Sequence, residues 1–208
     1  MIKLEPNAIV LFQGDSVTDC GRERGNNENL GVGYANFIAA EIGCTYPDRG
    51  ITFLNRGIGG NRVVDLQERW EEDCLRLSPT WVSILIGINE TWRKYDDNDP
   101  TSTEQYYEGY RKLLQRTKDH TDANFILLEP FVLPTSQDRL MWREDLDPKI
   151  QAVRALAREF QALYVPLDGM FATASTKVDP LYWAEDGVHP TRSGQALIAK
   201  AWLEAVQA

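Results

Sequence analysis

Histidine and cysteine are scarce in this chain, with two of the first and three of the second among 208 residues. His120 and His189 stand far apart, and no H-E-x-x-H occurs. A metal centre needs several spaced histidine, cysteine or carboxylate ligands, so metal-assisted hydrolysis is disfavoured. Cys20, Cys44 and Cys74 are odd in number and form no C-x-x-C. They argue against a disulfide framework and suit a reducing compartment. No apolar run approaches the roughly 18 residues of a membrane span. The opening stretch MIKLEPNAIVLF has no long apolar segment and no small-residue cleavage site. A signal peptide is therefore not expected, and the cytoplasm is the expected location. Positive charge is short too: 22 lysines and arginines against 31 aspartates and glutamates leave a net charge of −9. Such a surface repels nucleic acid and anionic membranes at long range. Neither is an expected partner, whereas a neutral small molecule is.

Internal repeats, linkers and low-complexity runs are also missing, which leaves one domain over residues 1–208. With 43% hydrophobic residues, a chain of this length can bury a core without disulfide or metal. Five short apolar runs, Ala8–Phe12, Ile51–Leu54, Trp81–Ile86, Phe125–Leu128 and Leu163–Val165, carry β-branched or aromatic residues. They read as strands buried on both faces. Between them the period turns helical. Tyr34 to Ile42 reads as one helix. Val63, Leu66, Trp70, Cys74 and Leu77 mark an amphipathic helix. Thr101 and Glu104 form a capping-box pattern ahead of a helix reaching about Thr117. Asp147–Pro148 looks like an N-cap and first helical residue, followed by core positions Ile150, Val153 and Ala157. Leu197, Ile198, Ala201, Trp202 and Ala205 define a closing helix.

Alternating strands and helices predict an α/β fold, a parallel sheet with helices on both faces. Three connections look like long loops: Gly14–Gly31, Gly87–Pro100 and Pro130–Leu146. Long ordered loops in a compact domain are often functional. In an open parallel sheet, ligands bind beyond the carboxyl ends of the strands, where these loops begin.

The first strand runs into Gly14-Asp15-Ser16. A serine there faces the expected site but is inert without a base. His120 lies at a polar helix end and reads as a solvated terminal residue. His189, in Asp186-Gly187-Val188-His189-Pro190, is the candidate base. Asp186 can reach the far ring nitrogen and fix the tautomer, although Asp-x-x-His alone also fits a plain turn. Gly14-Asp15-Ser16-Val17-Thr18 is not G-x-S-x-G, so the nucleophile elbow of α/β-hydrolases is not indicated. Acyl transfer also needs oxyanion donors. Asn55-Arg56-Gly57-Ile58-Gly59-Gly60-Asn61 follows the second strand, and a glycine there lets backbone N–H groups approach a ligand; a plain glycine turn explains it as well. Asn89, after the third strand, can donate its amide hydrogens or simply cap a turn.

Gly14-Asp15-Ser16, Gly57, Asn89 and the Asp186/His189 pair stand in the order of the four marker blocks of SGNH (GDSL-like) hydrolases, and the chain resembles that family over nearly its whole length. The resemblance implies a flavodoxin-like three-layer α/β/α sandwich with a central five-stranded parallel sheet, and no cofactor. It implies Ser16 as nucleophile, His189 as base and Asp186 as orienting acid, with the N–H groups of Ser16 and Gly57 and the side chain of Asn89 as oxyanion hole. One departure is Glu90, where the family usually has Asp. Asp15 to Arg22, Arg69 to Asp73, Trp81 to Asn89 and Thr91 to Tyr95 resemble the intracellular acetylxylan esterase branch. That branch implies acetylated xylo-oligosaccharides as substrate.

Trp70, Trp81 and Trp202 sit at periodic positions and read as core. Trp92, Trp142 and Trp183 sit in the expected carboxyl-edge loops, where an indole can cover the apolar face of a sugar; Tyr95 and Tyr182 can assist. The same rings also suit loop packing or a subunit contact, which keeps a homo-oligomer open. Arg93 is a solvated charge or, by the resemblance, a substrate contact. The leading expectation is thus a serine esterase for acetylated sugars. A general short-chain carboxylesterase, a lysophospholipase-like hydrolase and a non-catalytic carbohydrate-binding module are the alternatives.

Overall fold

The computed structural model describes residues 2–208. Among them a five-stranded sheet takes the order β2-β1-β3-β4-β5, with every neighbouring pair parallel. The strands are β1 (Ile9–Gly14), β2 (Thr52–Asn55), β3 (Trp81–Leu85), β4 (Asn124–Leu128) and β5 (Leu163–Val165). Between β1 and β2 lie α1 (Ser16–Asp19) and α2 (Tyr34–Thr45). Next come α3 (Val63–Asp73) and a 3₁₀ turn (Leu75–Leu77) before β3. Then follow α4 (Ile88–Asp96) and α5 (Thr103–His120), and after β4, α6 (Gln137–Met141) and α7 (Arg143–Glu159). Beyond β5 come α8 (Leu167–Ser175), α9 (Pro180–Trp183) and α10 (Arg192–Val206).

Alternate strand residues go to opposite faces, and this period of two builds the layers. Val10, Phe12, Leu85, Ile126 and Leu128 pack with residues of α2, α8 and α10. Leu11, Val82, Ile84, Phe125 and Leu127 pack with residues of α3, α5 and α7. The result is an α/β/α sandwich of flavodoxin-like strand order. Its topological switch point lies between β1 and β3, where chain direction away from the sheet reverses. A third apolar cluster of Ile88, Val132, Trp142, Leu146, Ile150 and Val188 lies beyond the main core, with Trp92 and Tyr95 against it.

Several sequence expectations change. Gly87–Pro100 is not a long loop, because α4 fills most of it. Ile88, Trp92 and Tyr95 keep the i, i+4, i+7 spacing of a helix face and meet the third apolar cluster, while the polar Asn89, Glu90 and Thr91 are buried beside them. Pro130–Leu146 likewise contains α6 and the start of α7. The latter begins at Arg143, one turn before Asp147, and Pro148 lies inside it. Proline removes the donor for the Glu144 carbonyl; both residues are exposed, and burial of Leu146, Ile150 and Val153 holds the helix on either side. The capping box of α5 is Ser102 with Gln105, one residue beyond the expected Thr101 and Glu104. Trp70, Trp81 and Trp202 are core, as their spacing predicts. Among the described residues, no helix is long and apolar enough to cross a membrane.

Candidate active site

Ser16 is the first residue of α1, directly beyond β1. Asp15 caps that helix: its Oδ1 accepts the Val17 N–H at 3.0 Å. His189 arrives from the other end of the chain, on the turn between α9 and α10, whose ends meet in an Ala184–Pro190 bridge. Asp186 organises this turn. Its Oδ1 accepts the backbone N–H groups of Val188 (2.9 Å) and His189 (2.7 Å), and its Oδ2 accepts the His189 Nδ1–H at 2.6 Å. With Nδ1 so engaged, Nε2 carries the free lone pair, and the Ser16 hydroxyl donates to it at 2.8 Å.

The electrostatics favour a proton on this ring. The hydrogen bond to Asp186 raises the His189 pKa above its ordinary value of 6.5, against desolvation, and the charges of Asp186 and Asp15 add to it. Partial burial pulls the Asp186 carboxyl up, but the ring and the two backbone N–H groups outweigh it and hold the group well below the usual carboxylate range. Underneath, Asp15 is buried, and burial pushes its carboxyl up to about 7.

The donors facing Ser16 differ from expectation at one position. The Gly57 N–H is turned away from the serine and donates to Asn55 Oδ1 at 2.8 Å. Gly57 is glycine for space: a Cβ there would stand 2.4 Å from the Asp19 nitrogen. Ile58 N–H goes to the Gly14 carbonyl and Gly59 N–H to Asp19 Oδ2. It is Gly60, at φ +81°, that lines the Ser16 cleft, and among the described residues its N–H has no acceptor. The Ser16 N–H, at the first position of α1, is free in the same sense. Asn89 donates one Nδ2 hydrogen to the Asn61 carbonyl at 3.0 Å, which holds the amide and leaves its second hydrogen for the cleft. Gly60 is the candidate donor that the sequence did not single out. Three glycines share that loop, and only its folded path selects among them.

Glu90 does not displace Asn89. Its Oε1 accepts the Val63 N–H, the first of α3, at 2.7 Å. Its Oε2 is buried without a partner among the described residues, and burial pushes the carboxyl up to about 7.

Ser16, Gly60, Asn89, Trp92, Arg93, Asp97 and His189 line an open cleft of about 370 Å³. The Trp92 indole lies 5.8 Å from the imidazole, centre to centre. Arg93 and Asp97 face each other at 3.6 Å. The other two loop tryptophans do not reach this cleft. Trp142 is fully buried in the third apolar cluster, so its ring cannot meet a ligand. Trp183 lines a separate apolar groove with Met170 and Leu197. Tyr95 stacks on Trp142 at 5.8 Å, and Tyr182 packs edge-on against Trp183. His120 sits exposed at the end of α5, bonded to the Arg116 carbonyl.

Residues 12–197 match the model of the GDSL-like lipase/acylhydrolase family. The chain is 36% identical to an acetylxylan esterase of Geobacillus stearothermophilus over 99% of its own length and 96% of the relative's. The crystal structure of that esterase, also described as an acetyl-xylooligosaccharide esterase, superposes with a TM-score of 0.93 at 35% identity, covering 100% of this chain and 97% of the other. Alanine variants of it at a serine, an aspartate and a histidine are catalytic mutants. A GDSL-like lipase structure from Parabacteroides merdae superposes with a TM-score of 0.94 at 37% identity, covering 99% and 98% of the two chains.

Proposed function

The chain belongs to the GDSL-like lipase/acylhydrolase family and is a carboxylic ester hydrolase, and from that premise we propose that it removes acetyl groups from acetylated xylo-oligosaccharides through a Ser16–His189–Asp186 acyl-enzyme mechanism. The observation that carries the reading is the unbroken hydrogen-bonded chain from Ser16 to Asp186, open to a polar cleft at the β1/β3 switch point. Ser16 Oγ attacks the acetyl carbonyl carbon while His189 Nε2 takes its proton. The carbonyl oxygen becomes an oxyanion held by the N–H groups of Ser16 and Gly60 and by Asn89 Nδ2. Collapse expels the sugar alkoxide, which takes the proton from His189 and leaves an acetyl-Ser16 ester. Water, deprotonated by His189, then attacks that ester; collapse breaks the bond to Ser16 Oγ, which takes the proton back from His189 as acetate leaves.

The sugar assignment draws support from the cleft and from the esterase relative. Trp92 offers one apolar ring, while Arg93 and Asp97 offer charged hydrogen-bonding groups for hydroxyls. A long acyl chain needs a dry apolar channel, because each buried methylene contributes only about 0.8 kcal/mol and only where water is excluded. The three free cysteines support a reducing, cytoplasmic setting. The test compares kcat/KM for acetyl, butyryl and octanoyl p-nitrophenyl esters with acetate release from peracetylated xylobiose. The expected order favours acetyl esters and the sugar. A rise toward octanoyl without acetate release would move the assignment to a lysophospholipase-like esterase.

A further inference from the structure

His189 is an exposed residue whose ring must stay within hydrogen-bonding distance of Ser16. A displacement of about 1 Å at such a site can cost about 10²-fold in rate, so something must hold its turn. Two successive carbonyls of that turn are tied to the segment after β4. The Gly187 carbonyl accepts the Leu133 N–H at 2.8 Å, and the Asp186 carbonyl accepts the Arg139 Nε–H at 2.9 Å.

Arg139 is built into a stack. It comes from α6, and its guanidinium carbon lies 3.9 Å from the centre of the buried Trp142 ring and 5.0 Å from that of Trp92. Trp92 meets Trp142 edge-on at 5.3 Å and reaches the imidazole on its other side. Tyr95 backs Trp142. Arg139 also pairs with Asp138 at 2.5 Å, but that carboxylate is mostly exposed, and such surface pairs contribute little. The aromatic stack and the carbonyl bond are therefore what place the guanidinium.

We propose that Arg139 is a positioning residue for acyl transfer: packed against both Trp142 and Trp92, it holds the Asp186 carbonyl and so fixes the turn that carries His189. The proposal rests on the Ser16–His189–Asp186 reading. A lysine keeps the charge but lacks the planar face and the Nε–H, so it cannot replace arginine here. Charge acts separately. The charged groups facing the His189 ring are Asp186 on its own turn, Asp15 beyond β1 and Arg139 on α6, with Arg93 on α4 and Asp97 just past its end lining the same cleft. Arg139 is the cation that opposes protonation of the ring.

The experiment measures kcat per active site for Arg139→Ala and Arg139→Lys, with sites counted by reaction with diethyl p-nitrophenyl phosphate, and follows kcat/KM against pH. Both variants should lose about 10- to 100-fold in kcat. The acid limb of Arg139→Ala should move to higher pH, while that of Arg139→Lys stays near wild type. Counting sites removes misfolded protein from the comparison, and the lysine variant decides the case if the alanine variant does not fold. Wild-type kcat per site in the lysine variant, or a loss in the alanine variant with the acid limb unmoved, would overturn the proposal. Full activity in Ser16→Ala would instead overturn the reading beneath it.

Discussion

Glu90→Gln should make the protein more stable at pH 8 and much less so at pH 5. Glu90 is 1% exposed, its Oε1 accepts the Val63 N–H, and its Oε2 has no partner among the described residues. Burial raises its pKa from 4.5 to about 7. For an acid raised in this way, the folded state holds the proton longer than the unfolded chain does. Its cost is absent below pH 4.5, grows as pH rises toward 7 and is constant above that. Each pKa unit corresponds to about 1.4 kcal/mol, so the full cost is on the order of 3 kcal/mol. At pH 5 it is under about 1 kcal/mol by the same linkage. Glutamine keeps an oxygen for Val63 and cannot ionise. Its amide hydrogens lack a partner too, and this pH-independent cost lowers the gain equally at both values. The assay is urea unfolding of both proteins at pH 5 and pH 8. The difference between the two pH values should be about 2 kcal/mol in favour of the variant at pH 8. The same difference at both values would refute the reasoning, since it would mean that Glu90 ionises alike folded and unfolded.

Activity should rise with pH through one ionisation lying above 6.5, because His189 must be neutral to take the serine proton and Asp186 raises its pKa; the acid limb of kcat/KM reads it, and a limb at or below 6.5 would contradict it. Asn89→Ala should lower kcat by about 10²–10³ with little change in KM, since an oxyanion donor acts in the transition state; unchanged kcat with raised KM would assign Asn89 to ground-state binding. Gly57→Ala should destabilise the protein by about 1–3 kcal/mol through its clash with Asp19. Gly60→Ala meets nothing closer than Arg93 Nη2 at 3.8 Å, but alanine is strained at φ +81°, so it should cost about 1–2 kcal/mol and in addition lower kcat by disturbing a loop that lines the Ser16 cleft. Thermal melts and steady-state kinetics separate the two glycines.

The strands were readable because each is a short β-branched or aromatic run between turn-formers, and β5 falls where the sequence places it, at Leu163–Val165. Ser16, Asp186 and His189 could be picked out because the sequence offers so few bases. With His120 at a polar helix end, one histidine remained. Other features depend on chain path and were hidden. α4 does carry a helical spacing at Ile88, Trp92 and Tyr95, but it is short and buries the polar Asn89, Glu90 and Thr91, which read as loop residues. Gly57 and Gly60 differ in backbone conformation, in the space around them and in whether their N–H groups are engaged, which no composition records. Trp142 lies in a polar stretch, yet Leu146 and Ile150 on the following helix, with Ile88 and Val188 from elsewhere, enclose it. Arg139 carried no signal, because its partners Trp92 and Asp186 are remote in sequence.

The most direct test of the account is to find where the acetyl group goes. Wild-type protein is mixed with p-nitrophenyl acetate, quenched in acid during the first turnovers and digested for mass spectrometry, with Ser16→Ala treated alongside. Wild type should carry one acetyl group on Ser16. The variant should carry none and should hydrolyse the ester at least about 10⁴-fold more slowly. An acetyl group on another residue that turns over at the catalytic rate, or near-wild-type hydrolysis by Ser16→Ala, would contradict the assignment of Ser16 as nucleophile.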